Sequence, residues 1–259
     1  MGGNLASVKL CRFELISSPT QPRSGIVYGS KVYETDGANP VGVHTWDDVR
    51  LLSPIGLPPS IRLFGPPDAE ADWDIGPDTP LPSFDYINPS ILIGPGLTMP
   101  LQLNLKTILV DSCLGIIVGG GGRGVSADQA DGLVLGLTLV ASFYAPTEPG
   151  GRSRDVGFAI GPAITTPDEL DDAVTEDERG RRYRFSLGLK VNSEEIFLYD
   201  LNDLPHTPAE YLSYASETAA LRQGDVVAIS LQRTENKLER GDHVQVVSEK
   251  LGALSTRLS

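Results

Sequence analysis

The stretch VDSCLGIIVGGGGRGVSADQADGLVLGLTLVASFYAPTEPGGRSRDVGFAIGPAITTPDEL, Val110 to Leu170, decides how the rest of the chain is read. Cys113 to Val118 is a short apolar run that stops at glycines, as a buried strand does. Gly119 to Gly124 is then a turn, and Ser126-Ala-Asp-Gln129 spells a capping box in which hydroxyl and amide answer each other's backbone donors. Leu133 to Phe143 has no helical polar face and reads as a second buried strand. A polar loop and a third strand ending in Gly161-Pro162 follow. Three elements thus bring side chains to strand ends facing one loop, the kind of place where a pocket forms.

The composition agrees with a strand-rich fold. The 259 residues include 28 Gly and 20 Pro, which favours many strands joined by turns over a helical bundle. A net charge of −13 with no basic cluster argues against nucleic acid and anionic membrane surfaces, and leaves small molecules or a second copy of the chain as partners. Cys11 and Cys113 have no disulfide-framework spacing, and MGGNLASVKL has no apolar targeting core. No run approaches the ~18 apolar residues of a membrane span. A cytoplasmic protein is expected.

Outward from the centre, Val8 to Leu15, Gly25 to Tyr28 and Lys31 to Glu34 are short strand-like runs, with Gly29-Ser30 as a hairpin turn. His44 to Leu52 reads as two turns of helix capped by Thr45. Residues 1–55 are expected to form a small β-rich lobe, and 56–259 the larger domain. Ser53 to Pro100 is punctuated by prolines and should be extended or irregular. Its middle, Asp68 to Asp78, holds five carboxylates in eleven positions and is either a solvated loop or a lid.

On the other side, Thr166-Pro167 opens a short acidic helix, EDERGRR is a turn, and Tyr183–Lys190 and Glu195–Tyr199 form a hairpin around Asn192-Ser193. Thr207 to Leu221 is the best helix in the chain, with Thr207 capping, Pro208 in the first turn and Leu212, Ala215, Ala219 and Ala220 on one stripe. LRQGDVVAISL and LERGDHVQVVSEKLGALSTRL each place Gly-Asp in a turn before an alternating strand.

These pieces, in this order, resemble the fumarylacetoacetate hydrolase superfamily. The resemblance is carried by KLCRFE, PSILIGPG at 89–96, CLGIIVGGGGRGVSADQA at 113–130, GLTLVASF at 136–143, GRSRDVGFAIGPAITTPDEL at 151–170, LRQGDVV at 221–227, and GDHVQVV with LGAL near the end. It implies an α+β, mainly β fold, a mixed β-roll with a small N-terminal β-rich lobe, and a homodimer. It also implies a divalent cation held by carboxylates, polarising a keto-enol substrate, and a His-Glu pair that activates water.

The positions matching that chemistry are altered. The family's Glu-x-Glu falls on Asp111 and Cys113, and its Asn-Asp pair on Ala141-Ser142. Its Asn-Tyr-x-x-His-x-x-Glu stretch falls on Pro67, Asp68, Ala71 and Asp74. Its two lysines fall on Asn88 and Arg152, and its Gly-Thr-Pro loop on Ser230-Leu231-Gln232. A site with Asp111 as the sole carboxylate among those matched ligands is poor for Mg²⁺, which wants several oxygen donors, so neither metal nor other cofactor is expected.

The candidate catalytic residues are accordingly Asp111, Arg152 and Asp155. Asn88, Cys113, Ser142, Tyr144 and Arg154 are the candidate substrate-binding residues. Arginine holds carboxylates or enolates bidentately, and Asp or Tyr moves a proton when burial tunes it. Each has a plainer reading: Asp155 pairs with Arg152 or Arg154, and Cys113 is a small buried residue. Gly119, Gly121 and Gly124 spell G-x-G-x-x-G, but Tyr144 stands near where a ribose-binding acid belongs, so this is a turn. His44, His206 and His243 are too scattered for zinc.

The expected activity is metal-independent cyclisation, isomerisation or a related lyase-type rearrangement of an unsaturated keto or enol compound in a specialised biosynthetic pathway. The alternatives are an inactive relative serving as a binding or scaffold subunit, and a metal-dependent hydrolase or decarboxylase with relocated ligands.

Overall fold

The computed structural model describes residues 9–37, 39–66, 83–101 and 105–259. The acidic stretch 68–78, with its two readings as solvated loop or lid, lies outside them. The N-terminal strands are β1 (Lys9–Leu15), β2 (Ser18–Tyr28), β3 (Lys31–Thr35), β4 (Pro40–Thr45) and β5 (Val49–Leu52). Tyr28 pairs with Lys31, so Gly29 and Ser30 form the expected two-residue turn, with Gly29 at the positive φ of 56° that only glycine adopts freely. His44 to Leu52 is not a helix: one 3₁₀ turn, Trp46–Asp48, is capped by Thr45 and runs into β5. Pairing of β5 with β1 overrides the local helical signal.

Next come β6 (Ile61–Phe64), β7 (Phe84–Ile87), β8 (Leu92–Ile93), β9 (Thr98–Met99) and the central strand β10 (Leu109–Val118). A short helix α1 (Ala127–Asp131), closed by the predicted Ser126–Gln129 capping box, leads to β11 (Val134–Tyr144). Strand β12 (Gly157–Thr165) does not stop at Gly161-Pro162; it passes through that cis bond and reaches the end of β1. The short acidic helix opened by Thr166 and Pro167 is present as Pro167–Ala173, wound as a 3₁₀ helix.

The remaining elements are β13 (Val174–Asp177), β14 (Gly180–Tyr183), β15 (Ser186–Val191), β16 (Glu194–Asp200), α2 (Pro208–Ser216), β17 (Val226–Gln232), β18 (His243–Ser248) and β19 (Gly252–Leu258). Asn192 and Ser193 both take positive φ, 52° and 73°, in the two-residue turn between β15 and β16. Helix α2 ends earlier than the stripe to Leu221 predicts. The carbonyls of Ala219 and Ala220 turn away to the buried Arg62 guanidinium, 3.4 and 3.2 Å off, and Leu221 pairs with Gly122.

Two sheets carry the architecture. The larger runs β4-β3-β2-β1-β12-β11-β10-β17-β6-β7, with β5 and β8 attached to β1 and β12, and the smaller runs β16-β15-β18-β19-β9. Alternate residues of β10 enter different cores. Val110, Leu114, Ile116 and Val118 pack with α2 and the smaller sheet, while Cys113 and Ile117 pack with Val140, Phe158, Ile160 and Ile164. Burial on both faces is why this strand lacks an amphipathic alternation. The described residues contain no helix long and apolar enough to cross a membrane.

Candidate functional site

The site is laid out by strand register. Asp111 of β10 lies opposite Ser142 of β11, and Ser142 lies opposite Phe158 of β12. Cys113, one step along the same face, sits between Val140 and Ser230. Alternation therefore carries Asp111, Cys113, Ser142 and Tyr144 on one face, at one end of the three strands.

At that end lies an ion pair. Arg154, from the 3₁₀ turn Gly150–Arg154, donates from Nη1 to Asp111 Oδ2 at 2.8 Å. The carboxylate is fully buried and the arginine side chain is 14% exposed. The guanidinium also stacks over the Tyr144 ring, 4.3 Å from its centroid. Burial pushes the Asp111 carboxyl above its usual range, against the pull of Arg154, Arg233 and the Tyr144 hydroxyl. Burial and the nearby Asp111 charge push the Tyr144 phenol up to about 12. Asp111 Oδ1 is enclosed and accepts no hydrogen bond of good geometry from the described residues.

The other candidates separate. Arg152 is 67% exposed on its side chain and pairs with Glu148 at 3.2 Å. Asp155 does not pair with its arginine neighbours: Asn88 Nδ2 donates to its Oδ1 at 3.1 Å, while Asn88 Oδ1 accepts from the Ser90 backbone. Cys113 is buried and free, its thiol pushed well up by burial and by Asp111, so it is a packing residue rather than a nucleophile. Ser142 is buried in the same face. Arg233 is a residue the sequence reading missed. Its signal was the Ser230-Leu231-Gln232 segment just before it, whose register becomes informative only once β17 is seen against β10.

The donor chemistry does not fit a divalent cation. Asp111 is committed to a guanidinium, and the neighbouring positions present a buried sulfur, Cys113, and a hydroxyl, Ser142, instead of the carboxylate oxygens that Mg²⁺ favours. Among the described residues no three His, Cys, Asp or Glu side chains converge to hold an ion. The histidines are likewise dispersed. His44 bonds Glu34 at 2.9 Å, and His206 lies against Arg179 and Tyr211. A separate apolar cleft of about 580 Å³, with Arg12, Ile55, Leu57, Ile117 and Ile164 in its walls, opens at the opposite end of the central strands.

Fold and site together define a mixed β-roll whose central strands end in a buried acid. The family model for the fumarylacetoacetate (FAA) hydrolase C-terminal domain matches residues 70–259, and the chain belongs to that family. It is 26% identical over 199 residues to an uncharacterized protein of Pyrococcus abyssi, covering 72% of this chain and 84% of the relative. A 2,4-didehydro-3-deoxy-L-rhamnonate hydrolase of Sphingomonas sp. is 27% identical over 162 residues, 56% of this chain and 54% of the relative. Among solved structures, a 2-hydroxyhepta-2,4-diene-1,7-dioate isomerase from Mycobacterium marinum superposes with a TM-score of 0.81 at 21% identity, over 97% of this chain and 98% of that one.

Proposed function

We propose that the chain is an enzyme that rearranges a small unsaturated keto or enol compound without a divalent cation, by isomerisation, cyclisation or a related step. The observation that carries this reading is the Arg154–Asp111 pair. A guanidinium is bonded to the carboxylate that the resemblance makes a metal ligand, so fixed positive charge stands beside that acid where the resemblance implies a cation. In this reading Asp111 Oδ1, enclosed and raised in pKa, takes the proton from the carbon beside the keto group and returns it at another carbon. Tyr144, whose ring is stacked under the Arg154 guanidinium, orients the ligand above it. The isomerase and hydrolase relatives support an activity on such compounds, and a specialised pathway is the natural setting.

Hydrogen–deuterium exchange at the carbon beside the keto group of simple 2-keto acids, followed by NMR in D₂O with chelator present, tests this. Exchange above the buffer rate, lost in D111N, is the expected result. Buffer-rate exchange with every keto acid tried would remove the enzymatic reading. It would favour a binding or scaffold subunit, a reading that draws support from the near-complete burial of Asp111, Cys113 and Ser142.

A further inference from the structure

Arg154 is an incomplete answer to the question of what meets an anionic ligand here, because its charge is already used. Swinging it toward a ligand would strand Asp111 as an unpaired carboxylate in a fully buried position, which is strongly unfavourable. A second cation stands beside the pair. Strand β17 pairs with β10 through Cys113 and Ser230, but the next pair is Ser112 with Gln232, so Leu231 is an extra residue. Regular pairing would have set Arg233 opposite Val110, against the large core. The bulge shifts the register by one, so that Arg233, just past the last pair of Ser112 with Gln232, leaves the strand on the side of Asp111 instead. Bulges beside active sites re-aim side chains in this way.

The backbone on the far side is pinned too: Thr234 Oγ1 donates to the Val110 carbonyl at 2.9 Å, deep in the fold. Arg233 is therefore held between two fixed neighbours while its own side chain is exposed. It lies near enough for its charge to be felt by both Asp111 and Tyr144. Among the described residues no carboxylate comes within ion-pair distance of it. In a chain of net charge −13, this strand end thus carries two guanidinium groups against one buried carboxylate.

We infer that Arg233 is the residue that anchors the anionic group of the ligand, a carboxylate or enolate oxygen of a small compound, while Arg154 is a positioning residue held by Asp111. This rests on the reading of the site given under Proposed function. An arginine presents a planar fork to such oxygens, and loss of one charged contact of this kind weakens binding by about 10- to 100-fold.

The test is calorimetric titration of the full-length, chelator-treated protein with oxalate, a mimic of a small enolate, in the presence of EDTA. Wild-type protein should bind, R233Q should bind at least about tenfold more weakly with an unchanged melting temperature, and R233K should recover part of the loss. Retained affinity in R233Q, with loss in a folded R154Q protein, would overturn the assignment of Arg233 while leaving the site reading intact. Failure of the wild-type protein to bind oxalate would overturn the site reading, and the assignment with it.

Discussion

At the scale of single residues, the Asp111–Arg154 pair sets the energetics of the site. Breaking a buried pair by removing one partner costs about 3–5 kcal/mol, because the other charge is left without compensation. R154Q should therefore lower stability by about that amount in urea titrations, and D111N/R154Q should recover a large part of it. Additive losses in the two singles and the double would show that the groups do not depend on each other. Glu34 offers a second handle, on the N-terminal strands. Burial pushes its pKa up, but bonds from His44 and Arg23 outweigh that and hold it below 4.5. A depressed carboxylate contributes stability that is present above 4.5 and is lost as pH falls through its folded value. The difference in melting temperature between wild type and E34Q should thus shrink as pH is taken from 7 toward 3. A difference independent of pH would mean that the ion pairs add nothing.

At the scale of elements, the readable signals were those with local causes. The capping box at Ser126, the N-cap at Thr207, the glycine turn at Gly29 and the Asn192-Ser193 hairpin all rest on local side-chain caps or backbone preferences, and all stand in the structure. Thr207 accepts from the Glu210 backbone and is fully buried, so T207A should cost about 1 kcal/mol in denaturant midpoint analysis. No change in midpoint would mean that tertiary packing alone holds α2. Where long-range partners decided, the sequence misled. β5 pairs with β1 instead of forming a helix, and α2 is cut short by Arg62 and Gly122. The candidate site divides along the same line. Asp111, Ser142, Tyr144 and Arg154 gather because three strands share a register that the quoted stretch already contains. Arg233 follows a strand that lies outside the quoted stretch, β17, and reaches the site through a one-residue bulge that no local pattern marks.

At the scale of the whole molecule, a continuous sheet joins the N-terminal strands to the central ones through β1 and β12, so those strands and the site share one frame. The two-copy assembly implied by the resemblance predicts a light-scattering mass near twice 27.7 kDa, and a mass near 27.7 kDa itself would refute it. The central claim is that a guanidinium has taken over where the resemblance implies a cation. Titration of chelator-stripped full-length protein with manganese(II), read by electron paramagnetic resonance with and without oxalate, addresses it most directly. The account predicts that the ion stays in solution, with less than about a tenth of an equivalent bound per chain. Tight binding of about one equivalent through oxygen donors would contradict it and return metal-dependent hydrolysis to the front.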